Sequence, residues 1–181
     1  MTADEALARL IEGNQRYAAG RVEGAGRDEG RRRQQAEGQT PFAVILGCAD
    51  SRVAPELVFD QGIGDLFVVR VAGNTAADDV TLGSLEFAVS VLHCPLLVVL
   101  GHENCGAVKA TVDAVVKGER PAGHLAALVD PILPAVHGRD LDAAVKENVR
   151  RQVAKLAETF AATTVVGAEY GLHDGRVELV S

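Results

Sequence analysis

The stretch FAVILG, residues 42–47, is an uninterrupted apolar run that ends at a glycine. A run this short, with β-branched residues in its middle, predicts a strand that is buried on both faces of a sheet. Three similar runs follow along the chain, DLFVVRVAG (65–73), PLLVVLG (95–101) and TTVVGAEYGL (163–172). Strands that are apolar almost throughout are typical of parallel sheets with helices on both faces.

The segments between these strands have the apolar periodicity of helices. Thr2 and Glu5 have capping-box spacing, and the apolar stripe behind them predicts a first helix of about four turns. Helices are also expected over residues 78–92, 105–116 and 140–160. A turn at residues 173–175 leads into an edge strand, RVELV (176–180). We therefore predict an α/β fold: a mainly parallel four-stranded sheet in the order 2-1-3-4, an antiparallel edge strand, helices on both faces and an N-terminal helical arm.

Composition and charge limit the kinds of protein that this chain can be. Its 181 residues, 48% hydrophobic and 24% charged, are expected to form one globular domain over residues 1–181. The net charge of −7 argues against a nucleic-acid partner, and no apolar stretch is long enough to cross a membrane. The N-terminus lacks the pattern of a secretory signal, so we expect a cytoplasmic protein with reduced thiols. Its three cysteines are therefore candidates for metal binding or catalysis.

Two polar clusters follow predicted strands, CADSRV (48–53) after the first and GHENCGAV (101–108) after the third. In the order 2-1-3-4 these strands are neighbours, and their carboxyl ends meet at the switch point where ligands bind in such sheets. Cys48, His102 and Cys105 should converge there, although 54 positions separate Cys48 from His102. Two thiolates and an imidazole suit zinc, and three protein ligands leave the open position typical of a catalytic site.

Asp50 and Arg52 alternate with Cys48, so in an extended segment all three share one face. A free carboxylate at this place could itself occupy the open zinc position. Pairing with Arg52 would hold Asp50 back and keep it ionised, ready to orient a zinc-bound hydroxide. Two thiolates cancel the charge of zinc, so this hydroxide is expected at neutral to alkaline pH.

Each of these features also has a simpler interpretation. A lone cysteine at a strand end is more often a small buried apolar residue, which is our interpretation of Cys94 in VLHCPLL. Asp50 and Arg52 could form an ordinary surface ion pair. The remaining histidines, His93, His124, His137 and His173, are expected to be structural or surface residues. The zinc site is favoured because both clusters supply soft ligands and both follow strands that should be adjacent.

Together, the two clusters closely resemble the two zinc-binding motifs of the β-class carbonic anhydrases. The similarity extends to EGNQRYAAGR (12–21), GQTP (38–41), DLFVVRVAGN (65–74) and YGLHDGRVEL (170–179). The resemblance implies reversible hydration of carbon dioxide to bicarbonate and a proton, through zinc-hydroxide attack on CO2. It also implies one Zn²⁺ per chain, with Cys48, His102 and Cys105 as ligands and Asp50 and Arg52 as the orienting dyad.

The resemblance also implies a substrate pocket. By motif match its residues are Gln39, Phe67, Ala72, Phe87 and Gly106. Gln39 would hydrogen-bond the substrate, Phe67 would line the CO2 pocket and the Gly106 amide would donate to a bound anion. Ala72 and Phe87 stand where plant members carry valine and tyrosine. The resemblance therefore does not fix the shape of the pocket or imply a role for a tyrosine hydroxyl.

A further comparison with the family concerns regulation and assembly. Members that are regulated by bicarbonate carry a tryptophan where this chain has Ile45, and the chain has no tryptophan. We therefore expect the open, non-allosteric type, with water rather than Asp50 as the fourth ligand. The family dimerises through its N-terminal helix and sheet edge, with the glutamine and the pocket aromatics reaching across to the neighbouring subunit. This implies a homodimer or a higher even-numbered oligomer.

Two other functions remain open from the sequence. The first is a zinc hydrolase on the same scaffold that acts on a CO2 analogue such as carbonyl sulfide or carbon disulfide. The second is a non-catalytic, zinc-stabilised binding module. The open ligand position and the Asp50–Arg52 pair argue against the module, whereas only comparative kinetics would separate the two enzymes.

Overall fold

A computed structural model describes residues 1–181, which form a five-stranded sheet with helices on both faces. The strands are β1 (Ala43–Gly47), β2 (Leu66–Arg70), β3 (Leu96–His102), β4 (Thr164–Tyr170) and β5 (Val177–Val180). Their order is β2-β1-β3-β4-β5, with β5 antiparallel to β4 and every other pair parallel. The predicted order and the predicted antiparallel edge strand are confirmed.

Alternation along the central strands explains why β1, and β3 as far as Gly101, are apolar. Ala43 and Ile45 of β1 pack into the cluster that the first helix covers, whereas Val44 and Leu46 pack into the cluster on the opposite face. All five residues of β1 and all seven of β3 are buried. A strand covered by helices on both sides has no face left for polar side chains, so both strands read as continuous apolar runs.

Seven α-helices cover the sheet. They are α1 (Ala3–Ala18), α2 (Glu29–Gln34), α3 (Pro55–Val58), α4 (Asp79–Glu86), α5 (Gly106–Lys117), α6 (Ala126–Val136) and α7 (Leu141–Thr159). The capping box predicted at α1 is present, since Thr2 Oγ1 accepts from the Glu5 amide and Glu5 accepts from the Thr2 amide. None of the helices combines the length and the hydrophobicity that a membrane crossing requires.

The segment predicted as one helix over residues 78–92 is divided in the structure. It begins as α4, which Asp78 caps by accepting from the Thr81 amide, and it continues as a π-helical turn over Phe87–Val91. A π turn carries one extra residue and rotates the side chains that follow it. This local change leaves no trace in the apolar periodicity, and it begins at Phe87, one of the predicted pocket residues.

A buried carboxylate, Asp60, fixes the segment that follows α1. Its side chain is fully buried, and it accepts hydrogen bonds from Arg16, Arg27 and the amides of Glu23 and Gly24. Burial alone would raise the pKa of Asp60, but these donors outweigh burial and lower it. The stabilisation that this carboxylate gives is therefore present above the ordinary pKa of an aspartate and is lost as the pH falls through its depressed pKa.

Replacing Asp60 with asparagine should lower the free energy of unfolding by about 3 kcal/mol, because two arginines would then face a neutral amide. Asparagine tolerates the left-handed backbone of this position (φ +48°), so the loss reports the charge. Urea unfolding at neutral pH measures it. The control is Glu29→Gln, which breaks exposed pairs with Arg32 and Arg33 and should cost under about 0.5 kcal/mol. Equal unfolding midpoints for the two variants would contradict the prediction.

Candidate metal centre

The carboxyl ends of β1 and β3 bring together the three predicted metal ligands. Cys48 follows β1, His102 is the last residue of β3, and Cys105 is the residue before α5. Cys48 Sγ and Cys105 Sγ are 4.0 Å apart, and the potential ligand atoms of the three residues all lie within 4.8 Å of one another. All three side chains are buried. The convergence that was predicted across 54 positions is present in the structure.

The orientation of His102 leaves one ring nitrogen free for a metal. Nδ1 lies 2.8 Å from the Glu103 carbonyl oxygen, which can only accept, so Nδ1 carries the proton. His102 is fully buried, and its Nε2 has no hydrogen-bond partner. A buried polar atom without a partner is costly, and a metal ion in this place would satisfy it.

The donor set fits zinc. Two sulfurs at zinc–sulfur distances of about 2.3 Å in a tetrahedral site would lie about 3.8 Å apart, close to the separation of Cys48 Sγ and Cys105 Sγ. Two thiolates and one imidazole are ligands that zinc accepts, and they are too soft for magnesium or calcium. The residues present here therefore fit zinc, the metal that the resemblance in sequence implies.

The two thiols differ in how readily they ionise. The hydrogen bond from Cys105 lowers the pKa of Cys48, and His102 and the Gly73 amide act in the same direction. The same bond raises the pKa of Cys105, and burial raises it further. One proton is therefore held between the two sulfurs, and a divalent cation bound there would displace it.

Asp50 lies beside the ligands and is held by Arg52. The Arg52 guanidinium donates from Nε to Asp50 Oδ1 at 2.9 Å and from Nη2 to Oδ2 at 2.7 Å, and the Arg52 amide also donates to Oδ1 at 3.0 Å. These bonds to Arg52 lower the pKa of the Asp50 carboxyl well below its usual range. Asp50 Oδ2 is 3.8 Å from His102 Nε2, but Asp50 is outside the group whose ligand atoms cluster.

Reasoning from the sequence missed Arg70 and Gly73, which also contact the Cys48 segment. Arg70 donates to the carbonyl of Cys48 at 2.8 Å and to that of Asp50 at 2.5 Å, and the Gly73 amide donates to Cys48 Sγ at 3.3 Å. Pairing of Gly47 with Arg70 in the sheet brings the ends of β1 and β2 together. The sequence does contain a signal for Arg70, since it ends the apolar run of β2. Parallel pairing of β1 with β2 then places this arginine beside Cys48.

The predicted pocket residues do not all lie at the metal centre, since Phe67 pairs with Val44 near the start of β1, whereas Cys48 follows the end of that strand. Phe67 is half-buried and Phe87 is 45% exposed, and their ring centroids are 6.2 Å apart. Ala72 is half-buried beside Gly73, and Gly106 is the exposed first residue of α5. Gln39 is exposed before β1 and makes no side-chain hydrogen bond within the chain. Within one chain, Gly106 directly follows Cys105 and Ala72 directly precedes Gly73, whereas Gln39 precedes the strand whose far end leads to Cys48.

Comparisons with known proteins agree with this geometry. The model of the carbonic anhydrase family matches residues 43–177. The chain is 45% identical to a carbonic anhydrase of Mycolicibacterium smegmatis and 44% identical to carbonic anhydrase 2 of Mycobacterium tuberculosis. Those alignments cover 95% and 94% of this chain and 90% and 89% of the relatives.

Solved structures give the same result. The β-carbonic anhydrase of Coccomyxa in complex with acetazolamide superposes with a TM-score of 0.72 at 28% identity, covering 96% of this chain and 86% of that one. The carbonic anhydrase of Streptococcus mutans superposes with a TM-score of 0.62 at 26% identity, covering 97% of both chains. The family match, the identities and the cysteine–histidine–cysteine centre lead to one conclusion: this chain belongs to the β-class carbonic anhydrases.

Proposed function

We propose that this protein catalyses the reversible hydration of carbon dioxide to bicarbonate and a proton. The observation that carries the proposal is the buried convergence of Cys48, His102 and Cys105 at the switch point of the sheet, with a free Nε2 on His102. Zinc held by these three residues would supply the Lewis acid that makes an oxygen nucleophile available near neutral pH.

Asp50 orients the attacking oxygen in this proposal. Its carboxylate is ionised, lies beside His102 Nε2 and can only accept, so it would take a hydrogen bond from the proton of the attacking oxygen. Arg52 occupies both carboxylate oxygens, which keeps Asp50 from turning onto the metal. The fixed bidentate geometry supports an open site of the non-allosteric type, in keeping with Ile45 as a fully buried core residue.

The substrate would lie against apolar side chains near the metal. We assign this surface to Ala72 of the same chain and to Phe67 and Phe87 of a neighbouring subunit, because carbon dioxide is uncharged and the two tilted rings, 6.2 Å apart, form an apolar pair. Phe67 pairs with Val44 of β1, three residues before the end of the strand that leads to Cys48, so it does not reach the centre of its own chain. The Gly106 amide is in the first turn of a 12-residue helix and has no intrahelical acceptor. It can therefore stabilise charge that develops on a substrate oxygen, and Gln39 is assigned the same role from a neighbouring subunit.

The alternative functions are not favoured. The relatives with 44–45% identity are all named carbonic anhydrases, and none is named as a hydrolase of sulfur analogues or as a binding module. The test is a comparison of kcat/KM for carbon dioxide, carbonyl sulfide and carbon disulfide on zinc-loaded protein. We expect carbon dioxide to be preferred by at least about 100-fold. A preference for either sulfur compound would overturn the assignment.

We also propose an even-numbered homo-oligomer in the cytoplasm. Val80, Phe87 and Val91 lie on the α4 segment and are 80%, 45% and 57% exposed, so this face carries apolar area that a second copy would cover. A structural relative from Sordaria macrospora is described as tetrameric. The proposed cytoplasmic location would keep the thiols of Cys48 and Cys105 reduced. Sedimentation at micromolar concentration tests the assembly, and a monomer would contradict it.

A further inference from the structure

We infer that Asn148 of α7 is a positioning residue for the metal centre, acting on Cys48 through the backbone of Gly73. Asn148 is buried, and its Nδ2 donates to the Gly73 carbonyl at 2.9 Å. The amide of the same glycine donates to Cys48 Sγ at 3.3 Å. The inference rests on the proposed zinc ligation by Cys48 and is independent of the substrate.

The Gly73 backbone has little freedom in this position. Its φ is +81°, and a Cβ placed on it would lie 2.6 Å from Ile132 Cδ1 and 3.2 Å from Ala107 Cβ. Helices α5 and α6 therefore pack directly against the backbone, and no other residue fits without displacement. With Asn148 on its carbonyl and Cys48 on its amide, Gly73 is held on both sides, which aims its N–H at the sulfur.

Helix α7 holds this loop at a second place that does not contact the metal ligands. Gln152 Oε1 accepts from the Ala76 amide at 2.9 Å, and Lys155 Nζ donates to the Ala76 carbonyl at 2.6 Å. Residues 148, 152 and 155 lie on one face of the helix. Only Asn148 is bonded to the residue that donates to Cys48, so Gln152 offers a matched control on the same helix and the same loop.

The chemistry of Asn148 argues for more than loop packing. Its Oδ1 is buried and has no hydrogen-bond partner, so an apolar side chain would avoid a desolvation cost that asparagine incurs here. What an apolar side chain could not do is donate to the Gly73 carbonyl. An N–H bond to a thiolate sulfur withdraws charge from it, which tunes the ligand and stiffens its orientation.

Cobalt(II) in place of zinc reports the hydrogen bond from the Gly73 amide to Cys48 Sγ, because thiolate-to-cobalt charge-transfer absorption depends on the charge at sulfur. Asn148→Ala and Asn148→Leu should both shift this band to longer wavelength, and zinc should dissociate into excess chelator about 10-fold faster or more. The leucine variant keeps the number and branching of the side-chain heavy atoms and leaves no cavity, so it separates the loss of the donor from the creation of a cavity. Gln152→Ala should leave the band and the dissociation rate at their wild-type values.

Three results would overturn the inference. If both Asn148 variants keep the wild-type band and zinc release, the donor does not act on Cys48. If Gln152→Ala shifts the band as much as they do, the effect is general loosening of the loop. Wild-type protein without a thiolate-to-cobalt band would contradict ligation by either thiolate, Cys48 or Cys105, and it would reject the proposed centre together with the inference.

Discussion

Cys48→Ser protein is expected to contain less than about a tenth of the zinc of the wild type and to show no CO2 hydration above background. Serine is a poor zinc ligand at neutral pH because its hydroxyl remains protonated where a thiol next to Cys105 and His102 ionises readily. Cys48 Sγ also accepts a hydrogen bond from the Gly73 amide, so the substitution disturbs a contact that orients the site. Elemental analysis of protein purified with zinc, together with a stopped-flow assay, measures both effects.

Cys94→Ser is the matched control for this substitution. Cys94 is buried, its Sγ donates to the Pro41 carbonyl at 3.4 Å, and burial raises the pKa of its thiol to about 11. Serine can make the same hydrogen bond, so zinc content and activity should both be retained. One zinc per chain in the Cys48→Ser protein, or loss of zinc from the Cys94→Ser protein, would show that the centre has been assigned to the wrong thiol.

Asp50→Asn is expected to retain zinc and to lower kcat by about 100-fold or more, which is the usual size of a lost proton-handling group. Asparagine keeps the shape of the side chain but can present a donor, rather than an acceptor, to the attacking oxygen. It also ends the bidentate charge pair with Arg52. Turnover and metal content must therefore be measured on the same preparation.

A carboxylate outside the site provides the control for this second prediction. Asp113 pairs with Lys109 on the exposed surface of α5, and Asp113→Asn should leave kcat and zinc unchanged. An Asp50→Asn enzyme with wild-type turnover would remove Asp50 from the mechanism. Loss of zinc from that variant would instead make it a structural support of the metal ligands.

The charge of Asp50 should not set the pH dependence of the reaction near neutrality. Its hydrogen bonds with Arg52 lower the pKa of the carboxyl, so Asp50 is ionised throughout the neutral range and becomes neutral only as the pH falls through this lowered pKa. A decline in rate between about pH 9 and pH 6.5 must then come from the ionisation that generates the nucleophile.

The sheet could be predicted because its central strands are enclosed on both faces. Burial makes FAVILG and PLLVVLG apolar throughout, and their glycine ends mark where the polar clusters begin. The metal ligands could be predicted for a related reason. Cys48 directly follows β1, His102 ends β3 and Cys105 lies three residues beyond it, and neighbouring parallel strands bring such residues together whatever their separation in sequence.

The supporting residues could not be predicted because their contacts are distant in sequence and involve the backbone. Asn148 contacts Gly73 across 75 positions, and the only signal in the sequence is a polar residue beside the apolar stripe of α7. Arg70 acts on carbonyl groups, which every residue possesses, so no side-chain pattern marks its partners. The π turn at Phe87 likewise changes the local geometry without changing the period of the apolar residues.

The most direct test of the central claim is stopped-flow CO2 hydration from about pH 6.5 to about pH 9, on wild-type protein whose zinc content has been measured. The proposed open site predicts a rate that rises smoothly through one ionisation, with activity at every pH in proportion to bound zinc. A steep, cooperative loss below about pH 8 would show that Asp50 caps the metal in spite of its pair with Arg52. No hydration at any pH, with one zinc bound per chain, would contradict the proposed function itself.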